Sequence, residues 1–349
     1  MKTSDIIKYE KLGFDGQKYI DKQTNAILDR ISKFKNRLYL EIGGKFLYDS
    51  HASRVLPGFF VDSKKRIFSK LKDNADIIFC INARDLEKNR QLSSDSISYG
   101  DYCLKMVNDI ENEIGIKAKI SINRVKIDNK NEVETYRESL QKLGFEVYFR
   151  YEILGYPKDT KKVLSKNGYG SDEYIRVEKN LVLVTGAASS SGKMSTCLGQ
   201  IYHEETNSHD SGYAKYETFP IWNLPLDHPV NLAYEAATAD IGDYNMMDIY
   251  HEKAYSMSSV NYNRDVEAFE IVSGLASDFL PIDNYTRSYK SPTDMGINTA
   301  GFCIVDDEIV QKASIEEIDR RYNWYKEIIE RGDGDKIWLQ RCDKLKERL

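Results

Sequence analysis

The sequence predicts an α/β protein: two Rossmann-like or P-loop-like units with mostly parallel sheets, then a helical C-terminal segment. Three observations carry this. The runs Asp76-Ile77-Ile78-Phe79-Cys80-Ile81 and Leu181-Val182-Leu183-Val184 have the unbroken hydrophobicity of strands buried on both faces. Segments with apolar residues at helical spacing alternate with such runs. A loop of small residues, 186–192, joins the second run to a helix that opens with Lys193.

In chain order, residues 17–35 read as a helix with Tyr19, Ile20, Ala26, Ile27, Ile31 and Phe34 near one face. Residues 38–42 form a short strand, stopped by Gly43-Gly44. Helix 62–73 carries Ile67, Phe68 and Leu71 at helical spacing, and leads into the strand at 76–81. A helix at 99–114, a strand at 117–126, a helix at 131–143 capped by Gly144 and a strand at 145–151 follow. Gly155-Tyr156-Pro157 and Asn167-Gly168-Tyr169-Gly170 are turn chemistry. The expected division is therefore an N-terminal α/β domain (1–155), a connection (156–180), a P-loop-like α/β domain (181–310) and a helical tail (311–349). Within the third part, Pro220, Pro225 and Pro229 mark an irregular stretch, 231–239 a short helix, 259–275 a strand and helix, and 302–306 a strand. Ser314-x-x-Glu317 reads as a capping box, with Ile315, Ile318, Tyr322, Tyr325 and Ile329 forming an apolar stripe that needs a surface to pack on.

Composition bounds the function. The chain has 349 residues, about two domains' worth. With 41% hydrophobic and 30% charged residues it is not a disordered chain, and 21 Gly against 7 Pro excludes a collagen-like one. A net charge of −5 argues against a nucleic-acid partner, because neutralising phosphates takes a basic excess. No apolar run approaches the ~20 residues that span a bilayer, and Met1-Lys2-Thr3-Ser4-Asp5 lacks the features of a signal peptide. Five scattered cysteines without a C-x-x-C pair read as reduced thiols in a cytoplasmic protein without structural zinc; Cys80 and Cys303 are expected to pack as small hydrophobes. The 24 tyrosines and the apolar stripe of the tail predict a homo-oligomer.

The loop carries the chemistry. Gly186, Ser190, Ser191, Gly192, Lys193, Met194, Ser195 and Thr196 lie between an apolar strand and a helix, the context a phosphate loop requires. Small residues let backbone N–H groups curl around an anion, the helix N-terminus adds its positive dipole end, and Lys193 adds a full charge. Five residues separate Gly186 from Gly192 where the standard pattern has four, and Met194 stands where a Mg²⁺-binding hydroxyl is usual. Ser195 or Thr196 is expected to hold Mg²⁺ instead. The loop is similar to those of the synthetase domain of CTP synthase and, more loosely, dethiobiotin synthetase. The competing reading is a Gly/Ser-rich turn with an exposed lysine.

Longer stretches go further. Residues 40–45 with His51-Ala52-Ser53-Arg54-Val55-Leu56-Pro57-Gly58, Gly192-Lys193-Met194, and the segments 213–225, 228–240 and 260–266, with Lys290-Ser291-Pro292-Thr293-Asp294-Met295-Gly296, together resemble the bacterial DUF1846 (UPF0371) family. The resemblance implies that Met after Lys is a family trait. It also implies a chain truncated relative to the family, which is typically longer. It names no activity.

Other groups offer chemistry. Gly43, Gly44, Lys45, His51 and Arg54 make a second anion-site candidate at the carboxyl end of a strand, where open α/β sheets place ligands; a glycine turn with a solvated lysine is the alternative. Lys215 and Glu217 are candidate catalytic residues with Lys193, binding phosphate and orienting Mg²⁺ or substrate; an alternating strand is the alternative. Glu235, Asp240, Asp243, Ser291, Thr293, Asp294 and Asn298 are substrate-loop candidates, against a solvated helix face and a structural turn. Asp306-Asp307 ends the apolar strand 302–306 and has the look of a Walker B acid; an acidic pair that simply ends a strand is the alternative. His203, His209, His228 and His251 lack zinc spacing. The expected function is binding of a small-molecule ligand, ATP or another nucleotide or phosphate compound with Mg²⁺, and ATP-dependent phosphoryl transfer or ligation. The alternatives are a non-catalytic binding module, or an enzyme on a phosphorylated metabolite that splits no NTP.

Overall fold

The computed structural model describes residues 11–88, 91–92, 97–126, 130–188 and 190–349; the N-terminal Met1–Asp5 reading and Ser189 of the loop lie outside them. Seven strands, β1 (Arg37–Ile42), β2 (Ala75–Asn82), β3 (Lys119–Val125), β4 (Val147–Tyr151), β5 (Leu181–Gly186), β6 (Ser211–Tyr216) and β7 (Gly296–Ile297), form one sheet. The order is β7-β6-β1-β5-β2-β3-β4, and every pairing is parallel. The α/β class, the parallel sheet and the helical C-terminal segment stand as expected. The strands assigned to two units, however, share this one sheet: Leu183 of β5 sits beside Leu40 of β1 and Ile77 of β2. The reason is physical. Leu181, Val182, Leu183 and Val184 are fully buried. A strand apolar on both faces needs paired neighbours on both edges and a layer over each face, and the first half of the chain supplies the neighbours.

The two faces differ. Leu38, Leu40, Phe79, Ile81 and Leu183 point to one, beneath the helices Gly16–Ile31, Ser63–Leu71 and Tyr99–Ile114. Tyr39, Ile78, Cys80, Val182, Val184 and Tyr213 point to the other. There the helices Lys193–Thr206 and Asn263–Phe279 cover them with Cys197, Leu198, Ile201, Phe269, Val272 and Leu275. The alternation puts Glu41, Asn123, Arg150 and Lys215 on this second face, at strand carboxyl ends.

The tail packs inward. The helix Asp307–Glu330 lies against Pro229–Ala237, Ser50–Val55 and the last helix, Lys336–Lys346. Ile318 and Tyr325 of the apolar stripe are fully buried, and Tyr325 Oη donates to the Ala236 carbonyl at 3.0 Å. The chain itself therefore covers the centre of the stripe, leaving Ile315 and Trp324 at its margins partly exposed. The expected start at Ser314 is corrected: Asp306 caps the helix by accepting from Ile309 N at 3.3 Å, and Ser314 Oγ donates to the Val310 carbonyl inside it. The strand expected at 302–306 is corrected too. Residues Ala300–Cys303 make a 3-10 turn, and only an isolated bridge joins Ile304 to Phe14. With Phe302 and Val305 more than half exposed, this apolar run has no second face to bury. Among the described residues no helix is long and apolar enough to cross a membrane.

Candidate ligand-binding cleft

The loop after β5 is held from two sides. A Cβ on Gly186 would lie 2.3 Å from Ser191 Oγ and 2.7 Å from the Cys80 carbonyl, so only glycine permits this approach. Gly192, with φ +87°, turns the chain into the helix Lys193–Thr206. Two asparagines at neighbouring strand ends fix the loop: Asn123 Nδ2 donates to the Ser191 carbonyl at 2.7 Å, and Asn82 Nδ2 to the Ser190 carbonyl at 3.4 Å. Lys193 is nine-tenths buried. Its ammonium donates to the Ala188 carbonyl at 3.4 Å, and no ion pair to it is found among the described residues. Thr196 is fully buried, its hydroxyl between the Gly192 carbonyl (3.0 Å) and Asn123 Oδ1 (3.3 Å). That engages the Thr196 hydroxyl within the fold and leaves Ser195 as the hydroxyl residue of the two that lines the cleft.

A cavity of about 420 Å³ opens beside the loop, lined by Lys193, Ser195, Arg124, Arg150, Glu152 and Tyr156 among others. Arg150 is buried and bound to Asp172 Oδ2 through Nε (2.9 Å) and Nη2 (2.6 Å). Gly199 makes room for it, since a Cβ there would meet Arg150 Nη2 at 2.1 Å. Arg124 has the left-handed φ of +65° and lies 3.5 Å from Glu152, which also pairs with Arg84 and Lys126. Three cations thus surround the one Glu152 carboxylate, of which Arg124 lines the cavity. The Tyr156 hydroxyl is buried without a hydrogen-bond partner of good geometry among the described residues.

A second cavity, of about 320 Å³, adjoins the first and shares Glu41 and Met194 with it. Tyr213, Lys215, Tyr262 and Asp265 line it. Lys215 is buried, with Nζ 2.5 and 2.6 Å from the Asp265 oxygens, 2.6 Å from Glu217 Oε1 and 3.1 Å from Tyr262 Oη. An ammonium has three protons, and all three are engaged here. Lys215 is thus placed to hold the chain's own carboxylates. Burial and the charge of Asp265 raise the Glu217 carboxyl to about 8, against the lowering pull of Lys215. Glu217 packs against Gly43, so the ends of β1 and β6 meet at this cluster.

The other candidates fall elsewhere. Arg54 binds Glu317 of the tail helix through Nε at 2.8 Å and Nη2 at 3.1 Å, and His51 Nδ1 lies 3.3 Å from the same carboxylate. The second anion site is corrected accordingly: the chain's own carboxylate fills it, while Lys45 is exposed and its carbonyl, like that of Gly43, accepts from Lys64. Gly44 adopts φ +64° as a turn residue. Ser291 caps a short helix and meets His251; Thr293 donates to Asp248; Asp294 accepts from Tyr255; Asn298 donates to the Pro220 carbonyl. That loop lines a different cavity from the one beside Lys193. Glu235 lies 3.5 Å from Arg348, Asp240 accepts from Tyr325, and Asp243 pairs with Arg264. Asp306 caps a helix and Asp307 pairs with His228, which corrects the Walker B reading. All five cysteines are buried and free, and among the described residues no group of three or more His, Cys, Asp or Glu side chains could hold a metal ion.

Asn82, Asn123, Arg124, Arg150, Glu152, Tyr156, Glu41 and Asp265 were missed by the sequence reading. Two of them carried a shared signal: Ile81-Asn82 and Ile122-Asn123 each place the same polar residue at or near the end of an apolar strand.

Fold and cleft define an α/β protein with a polar cleft at the carboxyl ends of parallel strands, the position where such sheets usually take ligands. The chain belongs to the DUF1846 (UPF0371) family: residues 12–349 match the model described as "Domain of unknown function DUF1846, N-terminal". It is 44% identical to a UPF0371 protein of Streptococcus sanguinis (strain SK36) over 321 residues, 92% of this chain and 63% of that one. It is 44% identical to one from Corynebacterium aurimucosum over 319 residues (91% and 63%). It is 40% identical to one from Clostridioides difficile (strain 630) over 342 residues (97% and 66%). The chain thus spans less than two thirds of the length of the curated relatives it matches.

Proposed function

We propose that this chain binds a nucleotide or another phosphorylated small molecule, with the phosphate seated in the 186–193 loop. The observation that carries the reading is the Lys193 ammonium. It is buried at a helix N-terminus, unpaired by any carboxylate among the described residues, on a cavity that Arg124 and Arg150 also line. A buried cation without an anion is costly, and a phosphate relieves it while the loop amides and helix dipole add to the attraction. With ATP as ligand, the reaction class is phosphoryl transfer or ligation: Lys193 and the amides stabilise charge on the transferred group, and Mg²⁺ sits near Ser195. A second reading, a phosphorylated metabolite bound without NTP cleavage, is favoured by Thr196, whose hydroxyl is engaged inside the fold. A thermal-shift screen of ATP, GTP and sugar phosphates, each with and without Mg²⁺, tests both. A ligand at 100 times its Kd stabilises the fold by about 2.7 kcal/mol. Mg²⁺-dependent binding of a nucleotide selects the first reading, Mg²⁺-independent binding of a sugar phosphate the second, and no shift with any of them rejects both.

A further inference from the structure

Glu41 is the polar residue of the cleft whose role the phosphate reading leaves unexplained. It sits in β1, a central strand, and is only 9% exposed. Its Oε2 accepts from the Tyr213 hydroxyl at 2.7 Å. Its Oε1 has no hydrogen-bond or ion-pair partner among the described residues. Both cavities are lined by Glu41, and each cation that lines the second, Lys215 and Arg264, is already paired with another carboxylate. Lys215 donates to both Asp265 oxygens and to Tyr262, with Glu217 as a further ion-pair contact, and Arg264 pairs with Asp243 through Nη2 while its buried Nε has no hydrogen-bond partner among the described residues. Asp265 and the exposed Glu267 add to the acid on that side, while Ala268, Ile271 and Met295 supply apolar wall.

We infer that the second cavity is a binding site for a small primary amine, whose ammonium is received by Glu41 Oε1 while its carbon skeleton lies along Met194, Ala268 and Ile271. A nine-tenths buried carboxylate with one unengaged oxygen is stabilised most by a hydrogen-bonding cation. Tyr213 orients the side chain by holding the other oxygen. An anionic ligand is disfavoured there, because Lys215 and Arg264 each already face a carboxylate and Glu41, Asp265 and Glu267 make the lining acidic on balance. The inference is independent of the phosphate reading, although a shared wall at Glu41 and Met194 would let one molecule, or two, occupy both cavities.

The test is ligand-observed NMR and calorimetry on the whole chain with ethanolamine, putrescine, lysine and glucosamine as amine probes, glycerol and MgCl₂ as controls, and ATP and glucose 6-phosphate as phosphate probes. At least one amine should bind the wild type. Glu41→Gln, which still accepts from Tyr213, should weaken it tenfold or more. Ala268→Leu fills the second cavity from a partly buried helix position. It should weaken the amine similarly and leave phosphate-probe affinity within twofold. Lys193→Ala should weaken the phosphate probe and leave the amine within twofold. Amine binding without phosphate binding would sink the phosphate reading and keep this one. No amine binding, equal amine affinity in Glu41→Gln and Ala268→Leu, or a response confined to Mg²⁺ would overturn it.

Discussion

Lys215 Nζ lies between the two carboxylate oxygens of Asp265, at 2.5 and 2.6 Å, with Glu217 on its other side at 2.6 Å. One ammonium thus serves two buried carboxyls. Lys215→Met removes the cation that touches both carboxyls and leaves them buried without it. Breaking a buried pair in this way costs about 3–5 kcal/mol. Urea denaturation should show a fall of that order, and a change below about 1 kcal/mol would mean the cluster contributes little.

Glu217 gives that stability a direction with pH. Its folded carboxyl titrates at about 8, above the ordinary 4.5, because burial and Asp265 outweigh Lys215. A raised folded pKa means that the native state holds a proton the unfolded chain has released. The contribution is complete below about 4.5 and is lost as pH rises through about 8. One such proton gives a slope of about −1.4 kcal/mol per pH unit within that window. Glu217→Gln, neutral throughout, should flatten the decline between pH 6 and 8, as measured by denaturation at each pH. Parallel wild-type and variant curves would contradict the assignment.

Glu317 works in the opposite sense. Burial alone would raise its carboxyl, but hydrogen bonds from Arg320, His51 and Arg54 hold it well below the ordinary carboxylate range. Its contribution is present above about pH 4.5 and is lost as pH falls toward the lowered value. Glu317→Gln removes the charge of the buried carboxylate that accepts from Arg54, Arg320 and His51, at a cost of about 3–5 kcal/mol near neutral pH. The loss should shrink with acidification. Hydrogen exchange should show the helix Asp307–Glu330 opening first, since Glu317 is what ties it to His51 and Arg54.

How far the sequence carried the fold follows from where each signal lies. Ile77–Ile81 and Leu181–Val184 are interior strands, as their runs require, because two-sided burial is written in local composition. The insertion of β5 between β1 and β2 is a pairing across about 100 to 140 residues, and no local pattern encodes which edge a strand will choose. The run at 302–306 misled because apolarity alone does not distinguish a strand from a turn. At the site, the loop was legible since its small residues are contiguous. The fate of Arg54 was not, because its carboxylate lies 263 residues further on. Glu41 was read as one residue of a short apolar strand; a carboxylate inside such a strand was itself a usable signal.

The loop can be challenged in two ways that separate charge from shape. Lys193→Ala removes one charge and leaves the amides, the dipole and Gly192 in place. Charged hydrogen bonds of this kind are worth about 1.5–3 kcal/mol, so phosphate-ligand affinity should fall about 10- to 150-fold while the melting temperature holds. Gly192→Ala keeps the charge and attacks the geometry. At φ +87° a side chain is strained, and its Cβ would crowd Asn123 at 3.1–3.3 Å, the residue that anchors the Ser191 carbonyl. Left-handed strain costs about 1–2 kcal/mol, and here the crowding adds to it. Gly192→Ala should therefore lose both stability and affinity, whereas Lys193→Ala loses affinity alone. Calorimetric titration and thermal melting of the two variants give that pattern or refute it: equal affinity for Lys193→Ala and wild type would reduce residues 186–196 to a strand-to-helix turn.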